Sequence, residues 1–149
     1  KPKGDLQKMQ QAFNQVLKNA ADFLYADSID FLQRHRHEEI KILSFGNPQW
    51  QRRKILAAGV SSYVREIIIT EVPKEELCRQ WPRQPSPVII NDRGSEIDAI
   101  KKIRPDVLAI WVRRLHTPYS EMPCMTADVK VKNLQFSIAD LIRQHKHNN

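Results

Sequence analysis

"PVIINDRGSEIDAIKKI", residues 87–103, sets a short apolar run against a polar turn and then an amphipathic stretch. Val88, Ile89 and Ile90 are consecutive and β-branched, the pattern of a strand covered on both faces of a parallel sheet. Beyond the turn, Ile97, Ile100 and Ile103 recur at three-residue spacing. They therefore share one side of a helix, predicted to start at Ser95 and to end before Pro105. A covered strand that feeds directly into a helix is the opening half of a βαβ crossover.

The same grammar repeats along the chain. "IKILS" (40–44), "IIITEV" (67–72) and "VLAIWV" (107–112) are further short, nearly continuous apolar runs. Between them Asn47 followed by Pro48 predicts an N-cap and first helical residue, and Gly59 after "ILAA" (55–58) predicts the stop. Near the N-terminus Leu6, Met9, Phe13, Val16, Leu17 and Ala20 fall on one helical face. A second helix follows Asp27 and buries Ile29 and Leu32 before the polar "RHRHEE" (34–39). "ADVKV" (127–131) alternates like an edge strand, and Leu134, Ile138, Leu141 and Ile142 belong to a closing amphipathic helix. "RQWPRQPSP" (79–87) is a connecting loop. Strands alternating with helices predict an α/β fold, a Rossmann-like three-layer sandwich around a mostly parallel sheet. At 149 residues the chain fits one domain.

Composition narrows the function. The net charge of +7 suits an anionic partner, but the basic residues are scattered, with only short runs such as Arg52-Arg53-Lys54 and Arg113-Arg114. No aromatic-rich basic motif or recognition helix accompanies them, so a nucleic-acid partner is not expected. Cys78 and Cys124 form no C-x-x-C pair, which argues against a disulfide framework or zinc cluster and for a reducing, cytoplasmic setting. No apolar stretch reaches the ~20 residues that span a bilayer, and "KPKGDLQKM" (1–9) lacks a signal-peptide core, so no membrane association is expected. A start without methionine reads as a processed or cropped chain. "HRH" (35–37) and "HKH" (145–147) read as surface histidines, and Trp50, Trp81 and Trp111 as packing residues.

In a parallel sheet, ligands collect beyond the carboxyl ends of the strands. Three predicted strand ends carry suitable groups. After the first come Ser44 and the backbone amides of Phe45 and Gly46; after the second, Thr70 and then Lys74; after the third, Asp92 and Glu96. A hydroxyl and amides can hold phosphate oxygens, a lysine can neutralise them, and two carboxylates can hold a magnesium ion. Each residue also has an ordinary reading. Ser44 can close a turn, Lys74 can be a solvated residue opening the helix "KEEL" (74–77), and Asp92, closing a buried strand where a carboxylate needs a partner, can simply cap a turn. Ser95 and Asp98 have the spacing of a capping box, which makes Asp98 structural and leaves Glu96 as the metal candidate.

The ordered set "ILSFGN" (42–47), "IIITEVPK" (67–74), "VIINDRGSEIDAIKKI" (88–103) and "VLAIWVRR" (107–114) resembles the second, third and fourth motifs of the haloacid dehalogenase superfamily of phosphohydrolases, followed by the next sheet strand. "YADSIDFLQRH" (25–35) resembles the return from a helical cap, and "ADVKVKNLQFSIADLI" (127–142) the closing strand and helix. The resemblance implies a remnant of a helical cap over residues 1–24 and a core over 25–149. It implies that Ser44 bonds the transferring phosphoryl group and that Lys74 stabilises its charge. Asp92 and Glu96 would orient Mg²⁺, and Asn47 would line the pocket. The implied reaction is attack of an aspartate on a small phosphate monoester, giving an aspartyl-phosphate that water hydrolyses.

The sequence departs from that pattern in one major respect. The family's first motif, an Asp-x-Asp closing an apolar strand, is absent. Asp27 and Asp30 are three apart in a helical context and do not replace it. The missing strand would lie between those ending at Ser44 and Asp92, and its loss would leave backbone groups unpaired at ~1–3 kcal/mol each. The expectation is that an upstream segment or another polypeptide supplies it; otherwise the chain is an inactive phosphate-binding or protein-interaction module. Two details also differ: Asn91 stands where the family has a glycine, and Glu96 where it commonly has an aspartate.

Overall fold

The computed structural model describes residues 3–147, with side chains from Asp5 to His145. The outermost ends of the expected 1–24 and 25–149 segments, and the side chain of His147, lie outside the described residues. The chain forms two compact units that divide between Glu71 and Val72.

The first unit opens with α1 (Lys3–Lys18), a 3₁₀ turn (Ala20–Phe23) and α2 (Ala26–Arg34). Then come β1 (Lys41–Phe45), α3 (Pro48–Ala57), a second 3₁₀ turn (Val60–Tyr63) and β2 (Glu66–Thr70). Strands β1 and β2 pair in parallel, Ser44 opposite Ile69 and Phe45 opposite Thr70. The predicted punctuation of α3 is present. Asn47 caps it by accepting from the Trp50 amide at 3.2 Å, Pro48 is its first residue, and Gly59 ends it at φ +74°. Helix α1 packs on α3, with Phe13 edge-on to Trp50 at 4.1 Å between centroids.

The second unit runs α4 (Lys74–Gln80), β3 (Val88–Asn91), α5 (Gly94–Ile103), β4 (Leu108–Val112), β5 (Val129–Val131) and α6 (Ile138–His147). Its sheet has the order β3-β4-β5, all parallel. With every pairing parallel and a helix between each successive pair of strands up to β4, the α/β reading holds, and "ADVKV" supplies the predicted edge strand.

Two expectations are corrected. Four strands read as covered on both faces, yet only β4 is buried along its whole length; β1, β2 and β3 are half-buried. Strand β4 has a neighbour on each side, whereas β1 and β2 form a two-stranded sheet and β3 lies at an edge of its own. In α2 the buried residue is Phe31, while Ile29 and Leu32 are half-buried, because the helix turns the Phe31 face inward.

Arginine 104 anchors the second unit. It is 2% exposed, and all five guanidinium N–H groups find acceptors. Nε and Nη2 donate to the two Asp106 carboxylate oxygens at 2.8 and 2.7 Å, and the remaining donors reach the carbonyls of Cys78, Trp81 and Pro82. This fork ties the end of α4 to the end of α5.

Candidate functional site

The sheet rim of the first unit carries Ser44, Phe45, Gly46 and Asn47. Ser44 is half-buried, and its hydroxyl makes no hydrogen bond among the described residues. Gly46 adopts φ +131°, open to glycine alone at low cost, and a Cβ there would meet Gln51 Nε2 at 2.7 Å. That amide group donates to the Phe45 carbonyl at 2.8 Å and closes the turn. The Gly46 N–H donates to the Thr70 carbonyl at 2.8 Å, so it is spent on extending the β1–β2 ladder and is not a phosphate donor. Because successive residues of a strand present their N–H groups to opposite edges, the Phe45 N–H is directed away from β2. Asn47 uses its carbonyl oxygen to cap α3. Its structural role is therefore the observed one.

In the second unit the structure brings Lys74 and Glu96 together. Lys74 opens α4, and its Nζ donates to Glu96 Oε2 at 2.6 Å, both side chains being less than a fifth exposed. The reading of Lys74 as a solvated residue is thereby replaced. Asn91, the last residue of β3, donates from Nδ2 to the same Oε2 at 2.8 Å and accepts the Arg93 backbone N–H on Oδ1 at 3.1 Å. Arg93 Nη1 approaches Glu96 Oε1 at 3.4 Å. Burial pushes the Glu96 pKa up, but the bonds from Lys74 and Asn91 outweigh it and hold the carboxyl below its ordinary 4.5. Glu96 is charged, with Oε2 bonded by Lys74 and Asn91 and Oε1 approached by Arg93.

Asp92 differs from expectation in another way. It is exposed rather than buried, so it needs no partner, and its carboxylate makes no hydrogen bond or ion pair among the described residues. Only its backbone is engaged, the carbonyl accepting from Trp111 Nε1 at 3.0 Å.

This donor set bears on magnesium. Asp92 has the free carboxylate oxygens that a hard cation needs, whereas Glu96 offers only Oε1, since its Oε2 is taken by Lys74 and Asn91. No group of three or more His, Cys, Asp or Glu that could hold a metal occurs among the described residues. Asp92 thus fits the implied ion as a single carboxylate, and Glu96 is better described as the counter-ion that positions Lys74.

Asp98 is structural, though not through a capping box. Helix α5 starts at Gly94, one residue earlier than predicted, which carries Asp98 past the first turn. Its carboxylate accepts from the backbone of Met125 and Thr126 and from the Thr126 hydroxyl at 2.6 Å, pinning the loop after β4. Gly94 is where that loop crosses α5: a Cβ would lie 2.7 Å from the Pro123 carbonyl and from Cys124 Cβ. Cys78 and Cys124 are buried and form no disulfide, and burial pushes the Cys78 thiol up to about 11, which keeps it protonated near neutral pH. His35, half-buried, donates from Nδ1 to the Phe31 carbonyl at 2.8 Å, and His37, which accepts from Arg36 Nε, is exposed as expected of a surface histidine.

Sequence reasoning missed Asn91 and Arg93. Asn91 appeared only as a departure from a glycine, and Arg93 as part of a turn. The available signal was the polar Asn-Asp-Arg triplet at the end of an apolar strand.

No known protein-family pattern and no curated protein sequence matches the chain. Solved structures do. A protein described as a haloacid dehalogenase-like hydrolase, from Burkholderia xenovorans, superposes with a TM-score of 0.67 at 22% identity. The match covers 91% of this chain and 66% of that one. A dehalogenase solved with an intermediate complex gives a TM-score of 0.58 at 13% identity, over 80% of this chain and 55% of that one. The chain has the haloacid dehalogenase-like fold. It spans roughly two thirds or less of the length of these haloacid dehalogenase-like structures. Among the described residues, no helix is long and apolar enough to cross a membrane.

Proposed function

We propose that the chain is the core of a phosphohydrolase of haloacid dehalogenase type, cytoplasmic and acting on a small phosphate monoester. What supports the reading is the Lys74 ammonium, held at a parallel-sheet rim by Glu96 and Asn91, with the unpartnered Asp92 next to Asn91 in sequence. A transferring phosphoryl group spreads negative charge over its oxygens, and a cation already fixed in place stabilises that charge without reorganising.

In this reading Lys74 neutralises the phosphoryl oxygens, and Glu96 with Asn91 keeps its ammonium from swinging into solvent. The Ser44 hydroxyl and the Phe45 amide, in the first unit, are donors suited to a phosphate oxygen. Asp92 would hold Mg²⁺, which when bound neutralises phosphate charge. The nucleophile is an aspartate that forms an aspartyl-phosphate. This sequence contains no Asp-x-Asp, so that residue belongs to a strand outside it.

The test is hydrolysis of an aryl phosphate by the intact native protein in Mg²⁺. Lys74→Ala should lower kcat by roughly 10²–10³-fold, and Asp92→Asn or a chelator should abolish turnover. The absence of Asp-x-Asp favours a second reading, a non-catalytic phosphate-binding or protein-interaction module. No turnover by intact, folded protein would select it.

A further inference from the structure

We infer that Arg104 is a positioning residue for Lys74, fixing the Lys74–Glu96 pair from the far ends of the two helices that carry it. What this does for catalysis rests on the phosphohydrolase reading above; the geometry itself does not. Lys74 is the first residue of α4, and Glu96 lies in the first turn of α5. Arg104 immediately follows α5, and its own N–H donates to the Ile100 carbonyl at 2.8 Å. Its guanidinium crosses to α4, where Nη1 donates to the carbonyls of Cys78 and Trp81 at 2.8 and 3.0 Å and Nη2 to that of Pro82 at 3.2 Å. One buried side chain thus joins the ends of the two helices, and the ion pair joins their beginnings.

Helix α4 has little else to set its register. Among the described residues, the side-chain hydrogen bonds that tie it to the rest of the unit are those with Glu96 at its start and Arg104 at its end. Its N-terminus has no side-chain cap, and Arg79 pairs within the helix with Glu76. Helix α4 also packs on α5, but apolar contact is non-directional and does not by itself stop one helix sliding along the other. At 1.5 Å per residue, Cys78 lies about 6 Å along α4 from Lys74, and Arg104 about 12 Å along α5 from Glu96. A shift at the clamp therefore reaches the pair through two short, stiff arms. The pair has little slack: from 2.6 Å, about 1 Å of displacement takes Nζ beyond hydrogen-bond reach of Oε2. Asp106 completes the device, since its two oxygens hold Nε and Nη2 and keep the planar group turned toward α4.

Acylation of the lysines of the intact, folded chain tests this, read residue by residue by mass spectrometry and normalised to the exposed Lys54. Lys74 should be protected in the wild type, because its amine is bonded and its side chain only 16% exposed. Arg104→Lys keeps the charge but loses the planar fork. It should raise Lys74 labelling roughly tenfold, within the range over which coupled residues influence one another. If that variant fails to fold, Asp106→Asn, which releases the guanidinium, replaces it and should raise labelling to a smaller extent. Ile97→Val, a packing loss at a fully buried position of α5, should leave Lys74 protected. Glu96→Gln should expose Lys74 as well, and adding Arg104→Lys to it should bring no further rise, because both act through one bond. Unchanged Lys74 labelling when the clamp is altered, an equal rise in Ile97→Val, or additive rises in the double variant overturns the inference. Aryl phosphate hydrolysis separates this from the reading it rests on. In an active protein Arg104→Lys should lower kcat more than it changes KM, and an unmoved kcat counts against the positioning role. No turnover by a wild type whose Lys74 shows the expected labelling pattern sinks the phosphohydrolase reading and leaves the clamp standing.

Discussion

The two units are written in the same apolar vocabulary and fold to different depths. In the first, "IKIL" and "III" become strands that are half-exposed, and the buried apolar side chains are Phe31 and Val60. In the second, Val107, Ala109, Ile110, Ile97 and Cys78 are completely excluded from water. The difference lies in sheet position: β4 has a parallel neighbour on both sides, and each strand of the first unit has one. Two-stranded sheets are marginal by themselves. Burial is therefore a property of the strand's place in the sheet, to which apolar composition only entitles it.

The largest effect should come from removing what makes the second unit deep. Arg104→Ala would strand the Asp106 carboxylate and three carbonyls, and loss of one partner of a buried, hydrogen-bonded ion pair costs about 3–5 kcal/mol. Chemical denaturation should register that loss. Acid sharpens the comparison. The Arg104 guanidinium holds the Asp106 pKa down at about 2, against an ordinary 3.8. A depressed carboxyl contributes stability that is complete above its ordinary pKa and is lost as pH falls toward its folded value. The second unit should therefore weaken between about pH 4 and pH 2. In Arg104→Ala this acid limb should shrink without vanishing, since Glu96 and Asp98 are also held low against their burial by their hydrogen bonds. An unchanged limb would show that the Arg104–Asp106 fork is not what the acid breaks.

The helices, the order of the strands and the caps of α3 were legible in the sequence, because they depend on local spacing and on residues with fixed conformational habits. Asn47, Pro48 and Gly59 act within one turn of themselves. Which strands are covered was not legible, because "VIIN" and "LAIWV" look alike until their neighbours are known. Of the candidate site, Lys74 and Glu96 were legible as residues, but their pairing was not. The role of Glu96 follows from a lysine 22 positions away and an asparagine five away, and linear spacing does not rank those partners against a metal. Arg104 was overlooked for a related reason: a lone arginine after a helix looks solvated.

A middle-sized effect separates two glycines. At Gly94 the obstacle is packing, since a methyl would meet the Pro123 carbonyl and Cys124 Cβ at 2.7 Å. Gly94→Ala should cost about 1–3 kcal/mol, as overpacking does, and should loosen the loop that holds Tyr119. At Gly46 the obstacle includes the backbone itself, at φ +131°. The added Cβ there meets the end of a flexible Gln51 side chain, so the residual penalty is conformational and of order 1–3 kcal/mol. Replacing Gln51 by Ala should relieve part of the Gly46→Ala defect, whereas no side-chain trimming should rescue Gly94→Ala, because the Pro123 obstacle is backbone. Equal rescue at both sites would mean that the second unit is no more tightly packed than the first.

The smallest effect concerns how the two units begin their helices. Helix α3 has a side-chain cap from Asn47 on the Trp50 amide, whereas α5 begins after Arg93 without one. Asn47→Ala removes an acceptor from an exposed helix start, which typically costs about 1 kcal/mol. The loss should appear in the first unit alone, as faster amide exchange across α3 with β4 unaffected, because local openings draw on local contacts. Asn47→Asp should keep the cap and, placed at a helix N-terminus, should match or slightly exceed the wild type. If Asn47→Ala instead weakened phosphate binding with no change in α3 exchange, the side chain would be acting in the pocket, and the cap would be incidental to it.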